Sequence, residues 1–244
     1  IRALTALNPL QKQYDTVRFT ILSAINDADE DIRLKALQWV DWSNNDQYNK
    51  AREVLLYMAH SDQYAAARAE AIKILGDKKD PLLLSTLLEA TRDSSYTVAG
   101  NALEAVYKIQ PDEAFRQATQ LDKDARGKLF EQITSIYSQM GDQFSLEYIR
   151  SHIMQVFKQQ RAKLLEKYTV LLIRLNNDEA LEAGIALLKQ RAAADQSGLV
   201  RYTAIKSLKD INNHRSFLLK QPIEAAMSEK YKAAIATLNN EMLL

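Results

Sequence analysis

The apolar and small residues of this chain recur in one pattern. Ile32-Arg33 is followed by Ala36-Leu37, Ala67-Arg68 by Ala71-Ile72, Val98-Ala99 by Ala102-Leu103, and Val200-Arg201 by Ala204-Ile205. The alanines fall at 36, 71, 102 and 204, giving steps of 35, 31 and 102, the last being three times 34. Two weaker units are therefore expected in between, around 129–133 and 164–169. A spacing of four puts the first apolar residue and the alanine on one helix face, one turn apart, where a small side chain permits close packing.

Polar residues precede each strong unit: Asp29 to Asp31, Ser61 and Asp62, Asp93 to Ser95, and Ser197. Such side chains cap free amides, and the acidic ones also suit the positive end of the helix dipole. Upstream of each lies another apolar-periodic segment, at 17–25, 51–59, 82–90 and 181–188, so the repeating unit is a helical hairpin. The pattern predicts helices over 9–26, 29–41, 46–60, 63–75, 81–92, 95–109, 111–121, 123–140, 143–157, 160–175, 178–195, 198–211 and 222–239. Pro9, Pro81, Pro111 and Pro222 all fall at proposed helix starts, where a missing amide proton costs little, and Gly76 and Gly141 read as helix stops. Leu37, Ile72, Leu103 and Ile205 are placed on the inner face, where stacking of neighbouring hairpins supplies the stability that a single hairpin lacks.

The expected fold is all-α, an α-α superhelix of HEAT/armadillo-like type with about six helical hairpins. It is read as a single domain over 1–244, cut from a larger protein because the sequence opens on Ile1, with an irregular middle at 112–161. Composition narrows this further: six Gly and four Pro leave too little punctuation for a β-rich fold. The net charge of +1, from 32 basic and 31 acidic residues, provides no global field for nucleic acid or an anionic membrane. No apolar run approaches the roughly 18 residues of a membrane span, and no signal-peptide pattern opens the chain. With no Cys, disulfides and thiol catalysis are excluded while the compartment stays open.

No residue of the chain is expected to be catalytic, cofactor-binding or metal-binding. A zinc hydrolase needs two His one turn apart with a Glu, yet His60, His152 and His214 stand alone and read as surface or helix-end residues. Asp27, Asp29, Glu30 and Asp31 lack the Gly and spaced oxygens of a calcium loop and read as capping residues; Asn176, Asn177, Asp178 and Glu179 read as a turn and cap. The six glycines are too scattered to cradle phosphate, and Ser94 and Ser95 read as capping residues. Arg33, Arg68 and Arg201 follow the first apolar residue of their units and are placed to form a partly exposed ladder with Asp31, Asp62 and Asp93, interrupted at Ala99. Trp39, Trp42, Tyr48 and Tyr57 concentrate aromatic surface near the N-terminal end, either filling a repeat interface or facing another domain.

The segment Asp93-Ser94-Ser95-Tyr96-Thr97-Val98 before Ala102-Leu103-Glu104-Ala105 carries a family likeness. So do Asp31-Ile32-Arg33-Leu34-Lys35-Ala36 and Tyr64-Ala65-Ala66-Ala67-Arg68-Ala69-Glu70-Ala71. Over roughly 14–210 the chain resembles the C-terminal helical region of bacterial aminopeptidase N-like zinc metallopeptidases. The resemblance implies a non-catalytic domain that walls the active-site chamber and restricts peptide access. Zinc would sit in the parent's catalytic domain, and the partners would be that domain and the parent's peptide substrates. None of the family's catalytic residues matches a position here. An exported or envelope-associated parent is in keeping with this, and a stand-alone HEAT-repeat scaffold binding another protein is the alternative.

Overall fold

Asp29, Asn44, Asp142 and Asn177 each cap a helix start through the side chain, and apolar stripes along the helices pack the hairpins together. The structure, a computed structural model, describes residues 1–219, with side chains described through Arg215. The described residues form α1 (Arg2–Leu7), α2 (Asp15–Ser23), α3 (Glu30–Trp39), α4 (Asn45–Ser61), α5 (Ala65–Asp77), α6 (Leu84–Ala90) and α7 (Tyr96–Ile109). They continue through α8 (Pro111–Leu121), α9 (Gly127–Met140), α10 (Gln143–His152), α11 (Lys158–Leu175), α12 (Asp178–Ala194) and α13 (Gly198–Leu219). The fold is all-α, of the HEAT/armadillo-like solenoid class. The segment 222–239 lies outside the described residues.

By packing, the chain divides into two units, Ile1–Ile136 and Tyr137–Leu244, the division falling within α9. In the first unit the hairpins α2/α3, α4/α5 and α6/α7 stack so that α3 packs on α5 and α5 on α7, with α8 against α7. In the second unit α10/α11 and α12/α13 are the hairpins, and α11 lies against α13. In chain order α8 and α9 make the sixth pair. The weaker units fall on α9 and α11, where Leu129, Ile133, Leu164 and Thr169 are buried.

Leu37, Ile72 and Leu103 are fully buried, as the repeat requires, but Ile205 is 51% exposed. The reason lies in the stacking: α5 is flanked by α3 and α7, whereas among the described residues α13 packs chiefly on α11 and α12. Its buried stripe is instead Val200, Thr203, Ala204, Ser207, Leu208 and Ile211. Two glycine positions also differ from expectation or deepen it. Gly76 does not stop a helix; it lies inside α5, where a Cβ would come within 2.3 Å of Ala105 Cβ on α7. Gly141 does follow the end of α9, and Arg174 donates to its carbonyl.

Gly100 on α7 faces the start of α9, and a Cβ there would stand 2.6 Å from the Lys128 carbonyl carbon and 2.8 Å from the Leu129 nitrogen. In an open helix Gly→Ala gains about 1 kcal/mol. Here the added methyl meets backbone, so Gly100→Ala is expected to destabilise by about 1–3 kcal/mol. A denaturant midpoint that rose instead would show that α7 and α9 do not approach so closely.

The proposed helix 9–26 is three pieces. Asn8–Leu10 and Ala24–Asn26 are 3-10 turns, Tyr14 is extended, and only Asp15–Ser23 is α-helical. A preceding helix, α1, ends where Pro9 suggested a start, and Gln11 Nε2 ties the turn to the Trp39 carbonyl at 3.1 Å. The proposed helix 143–157 stops at His152, and α11 begins at Lys158. Pro81 and Pro111 do open helical turns, while Pro222 lies outside the described residues.

Candidate functional site

An aspartate six residues before an arginine organises the turn inside three of the hairpins, α2/α3, α4/α5 and α12/α13. Asp27, Asp62 and Asp195 each accept, through Oδ1, the amide of the residue two positions on: Asp29 at 2.9 Å, Tyr64 at 2.9 Å and Ser197 at 3.0 Å. The arginine one turn into the helix then reaches back. Arg33 Nη1 donates to the carbonyls of Asp27 and Ala28, Arg68 Nη1 to those of Asp62 and Gln63, and Arg201 Nη1 to those of Asp195 and Gln196. One guanidinium edge is thereby fixed by its own turn.

The other edge joins successive hairpins. Arg33 grips Asp62 through Nε and Nη2, both at 2.8 Å, and Arg68 grips Asp93 at 2.8 and 3.0 Å. These are bidentate, charge-assisted pairs. They are also more enclosed than a partly exposed ladder: the side chains of Arg33 and Asp62 are 17% and 4% exposed. Asp31 takes no part as a rung, because it sits exposed in the first turn of α3 with its amide capped by Asp29. Asp93 also holds the Ser95 amide at 2.7 Å, and with Ala99 in the arginine position the series stops there. In the second unit Arg161 Nη1 reaches Asp195 at 3.0 Å, and Arg191 lies 3.7 Å from the same carboxylate.

Arg161 and Asp195 were not singled out from the sequence, and Asp27 only as a capping residue, although the Asp-x5-Arg spacing at 27/33, 62/68 and 195/201 was there to find. Ser61 and Ser95 do not cap as expected: Ser61 ends α4, and Ser95 precedes α7 without a capping bond from its side chain. Of the other polar stretches, Asn176 adopts the left-handed conformation at φ 47° that closes α11, and Asn177 caps α12 through the Ala180 amide.

For Asp62, burial alone would raise the carboxyl pKa; hydrogen bonds from Arg33 and from the Tyr64 amide outweigh it and leave the pKa lowered. Asp93 and Asp195 are lowered by the same balance of burial against arginine and amide donors. A group with a depressed folded-state pKa binds its proton more readily in the unfolded chain, whose Asp titrates near about 3.9. The stability from these rungs is therefore complete above the unfolded value and is lost as pH falls through the folded one. The melting temperature should hold from neutral pH to about 5 and then decline, less steeply in Asp62→Asn. A profile flat down to pH 3 would contradict this.

Each candidate histidine has its own neighbours. His60 lies 3.6 Å from Glu89 with both side chains exposed, and His152 stacks on Tyr148. His214 is half-buried, and burial, with Arg215 beside it, lowers its pKa. Among the described residues no group of three or more His, Asp or Glu is placed to hold a metal ion, and no helix is long and apolar enough to cross a membrane.

What the first unit does present is a set of open grooves between consecutive hairpins. One of about 420 Å³ runs beside the Arg33–Asp62 rung with Tyr57 on its wall, and one of about 350 Å³ lies between α2 and α4 with Phe19 on its wall. A third of about 560 Å³, one repeat further on, is lined by His60, Glu89, Arg92, Asp93 and Gln117. Of the N-terminal aromatics, Tyr48 is buried under Lys78, whose Nζ lies 4.3 Å from the ring centroid, and Trp42 donates to the Leu37 carbonyl at 2.7 Å. Trp39 is half-buried, and Tyr57 is 68% exposed.

Residues 52–129, which run from within α4 to the start of α9, match the family described as HEAT repeats. No curated protein sequence matches the chain. Among solved structures, the complex of CpcE and CpcF of phycocyanin lyase from Nostoc aligns over 91% of this chain and 94% of that chain, with 12% identity and a TM-score of 0.51. An engineered protein aligns over 80% of this chain and 96% of its own at 11% identity, TM-score 0.45. Human deoxyhypusine hydroxylase aligns over 98% and 89% at 15% identity, TM-score 0.35.

Proposed function

We propose that this chain has no chemistry of its own and acts as a helical-repeat scaffold that binds another protein surface. The observation that carries this is the pairing of exposed aromatics with open grooves in the first unit, Phe19 in one and Tyr57 in the next. A large aromatic at the lip of a groove costs solvation while free and gives a strong contact when covered. The cationic side chains nearby do not argue for nucleic acid, since Arg33 and Arg68 are already spent on carboxylates.

The test is a Phe19→Ser, Tyr57→Ser double variant. Both residues are exposed, so stability should change little, while affinity for a partner purified with the full-length protein and titrated against it should fall at least about tenfold. Unchanged affinity would remove this face from the scaffold reading.

The finer form of the proposal is that the surface covered belongs to the catalytic domain of an aminopeptidase N-like zinc metallopeptidase, this domain walling the chamber and limiting peptide access. Its support is the resemblance at Asp93 to Val98 and the order of the repeats around it. In that case the parent polypeptide cleaves short peptides in preference to long ones and loses the preference when this domain is removed. Equal relative rates with and without it would refute the finer form.

A further inference from the structure

Superposing the repeats by their Val/Ala-Arg-x-x-Ala core assigns each helix a face toward the following hairpin. On α5 that face holds Ala69, Ile72 and Gly76, all buried: the Ala69 carbonyl accepts from Asn101 at 2.9 Å, and Gly76 abuts Ala105. On α7 the corresponding Gly100 and Leu103 are buried, Gly100 against the start of α9. The same positions on α13 are Tyr202, Ile205 and Lys209, and they are open: Tyr202 is 66% and Ile205 51% exposed, with Leu199 beside them at 51%.

The arginine of the repeat tells the same story. Arg201 is anchored by its Nη1 to the Asp195 and Gln196 carbonyls, as Arg33 and Arg68 are to theirs. In those two, Nε and Nη2 clasp the aspartate at the turn of the next hairpin. In Arg201 that edge has no carboxylate among the described residues, and residues 220–244 contain Glu224, Glu229 and Glu241 but no aspartate to reproduce the rung.

We propose that this face of α13 is a docking site for a helical hairpin of a partner protein, one whose turn carries an aspartate that Arg201 clasps as Arg68 clasps Asp93. The interface continues the stacking already present inside the chain: Tyr202 and Ile205 cover the partner's apolar stripe, and Arg201 with Lys209 complements its acid. Self-association through two such faces is disfavoured, because Arg201 and Lys209 would meet their own copies. The inference rests on the scaffold reading and names one partner class for it.

The experiment places a photo-crosslinking p-benzoylphenylalanine at position 202 of the full-length protein in its own cells, with a second probe at position 57 as reference, and identifies the joined peptides by mass spectrometry. The expected product at 202 is a peptide of another protein with helical-hairpin periodicity and an aspartate at its turn, its yield reduced severalfold by Arg201→Ala and by replacing that aspartate with asparagine. Joining to residues 220–244, to a second copy of this chain, or to nothing overturns the inference. If only 202 is silent while 57 joins a partner, the scaffold reading stands and the α13 docking site falls; silence at both removes both.

Discussion

Ile72→Ala and Leu103→Ala should each destabilise the protein by about 2–5 kcal/mol, while Ile205→Ala should stay within about 0.5 kcal/mol. The three residues hold the same place in the repeat, so helix propensity and side-chain chemistry are nearly matched and the difference reports stacking alone. Ile72 and Leu103 are fully buried, Ile72 on a helix flanked on both sides, and truncation leaves a cavity that packed helices cannot close. Ile205 already meets water over half its surface, so little burial is lost. Urea midpoints of the three variants check this, provided the slopes stay constant. A large loss at Ile205 would mean that its face is covered in solution.

The second large effect is expected at the rung. Asp62→Ala removes both carboxylate acceptors from Arg33, leaving it only carbonyls, and also the acceptor of the Tyr64 amide that precedes α5. What remains is a guanidinium 17% exposed without its carboxylate, and breaking so enclosed a pair costs about 3–5 kcal/mol. Arg201→Ala is the control. It loses only neutral carbonyl contacts at an exposed site, so a cost of about 1 kcal/mol is expected. If thermal melts placed the two variants together, the carboxylate contacts would be incidental.

These contrasts show where the sequence was legible. Apolar periodicity located the helices because each hairpin presents its stripe to a neighbour, and alanine at 36, 71 and 102 marks the closest approach, all three being fully buried. It misplaced Ile205 because periodicity identifies a face and not whether a helix lies against it. The break at 11–14 escaped notice because Pro9 is compatible with a helix start, and the reversal depends on a contact from Gln11 to Trp39, 28 residues away. The rungs were half visible: Arg33, Arg68, Asp62 and Asp93 all stood out by their place in the repeat, but not which pairs with which, since each aspartate meets an arginine 29 or 25 residues earlier across a hairpin interface while Asp31 takes no part. Gly76 misled for a related cause, since a glycine that ends a helix and one that admits a neighbouring helix look alike in sequence.

The grooves of the candidate surface were the least legible, being made by the spacing between hairpins. Tyr57 was noted only as one of a cluster of aromatics. Its exposure separates it from Tyr48, which lies nine residues earlier on the same helix and is buried.

The central claim is that successive hairpins are held in register by arginine-to-aspartate rungs within a stacked apolar interface. A double-mutant cycle on Arg68 and Asp93, using Arg68→Ala, Asp93→Ala and the pair in urea unfolding at pH 7, tests it most directly. The account predicts that each single variant is strongly destabilised and that the double is less so than their sum, by a coupling of about 1.5–3 kcal/mol. Additive losses, with a coupling below about 0.5 kcal/mol, would contradict it.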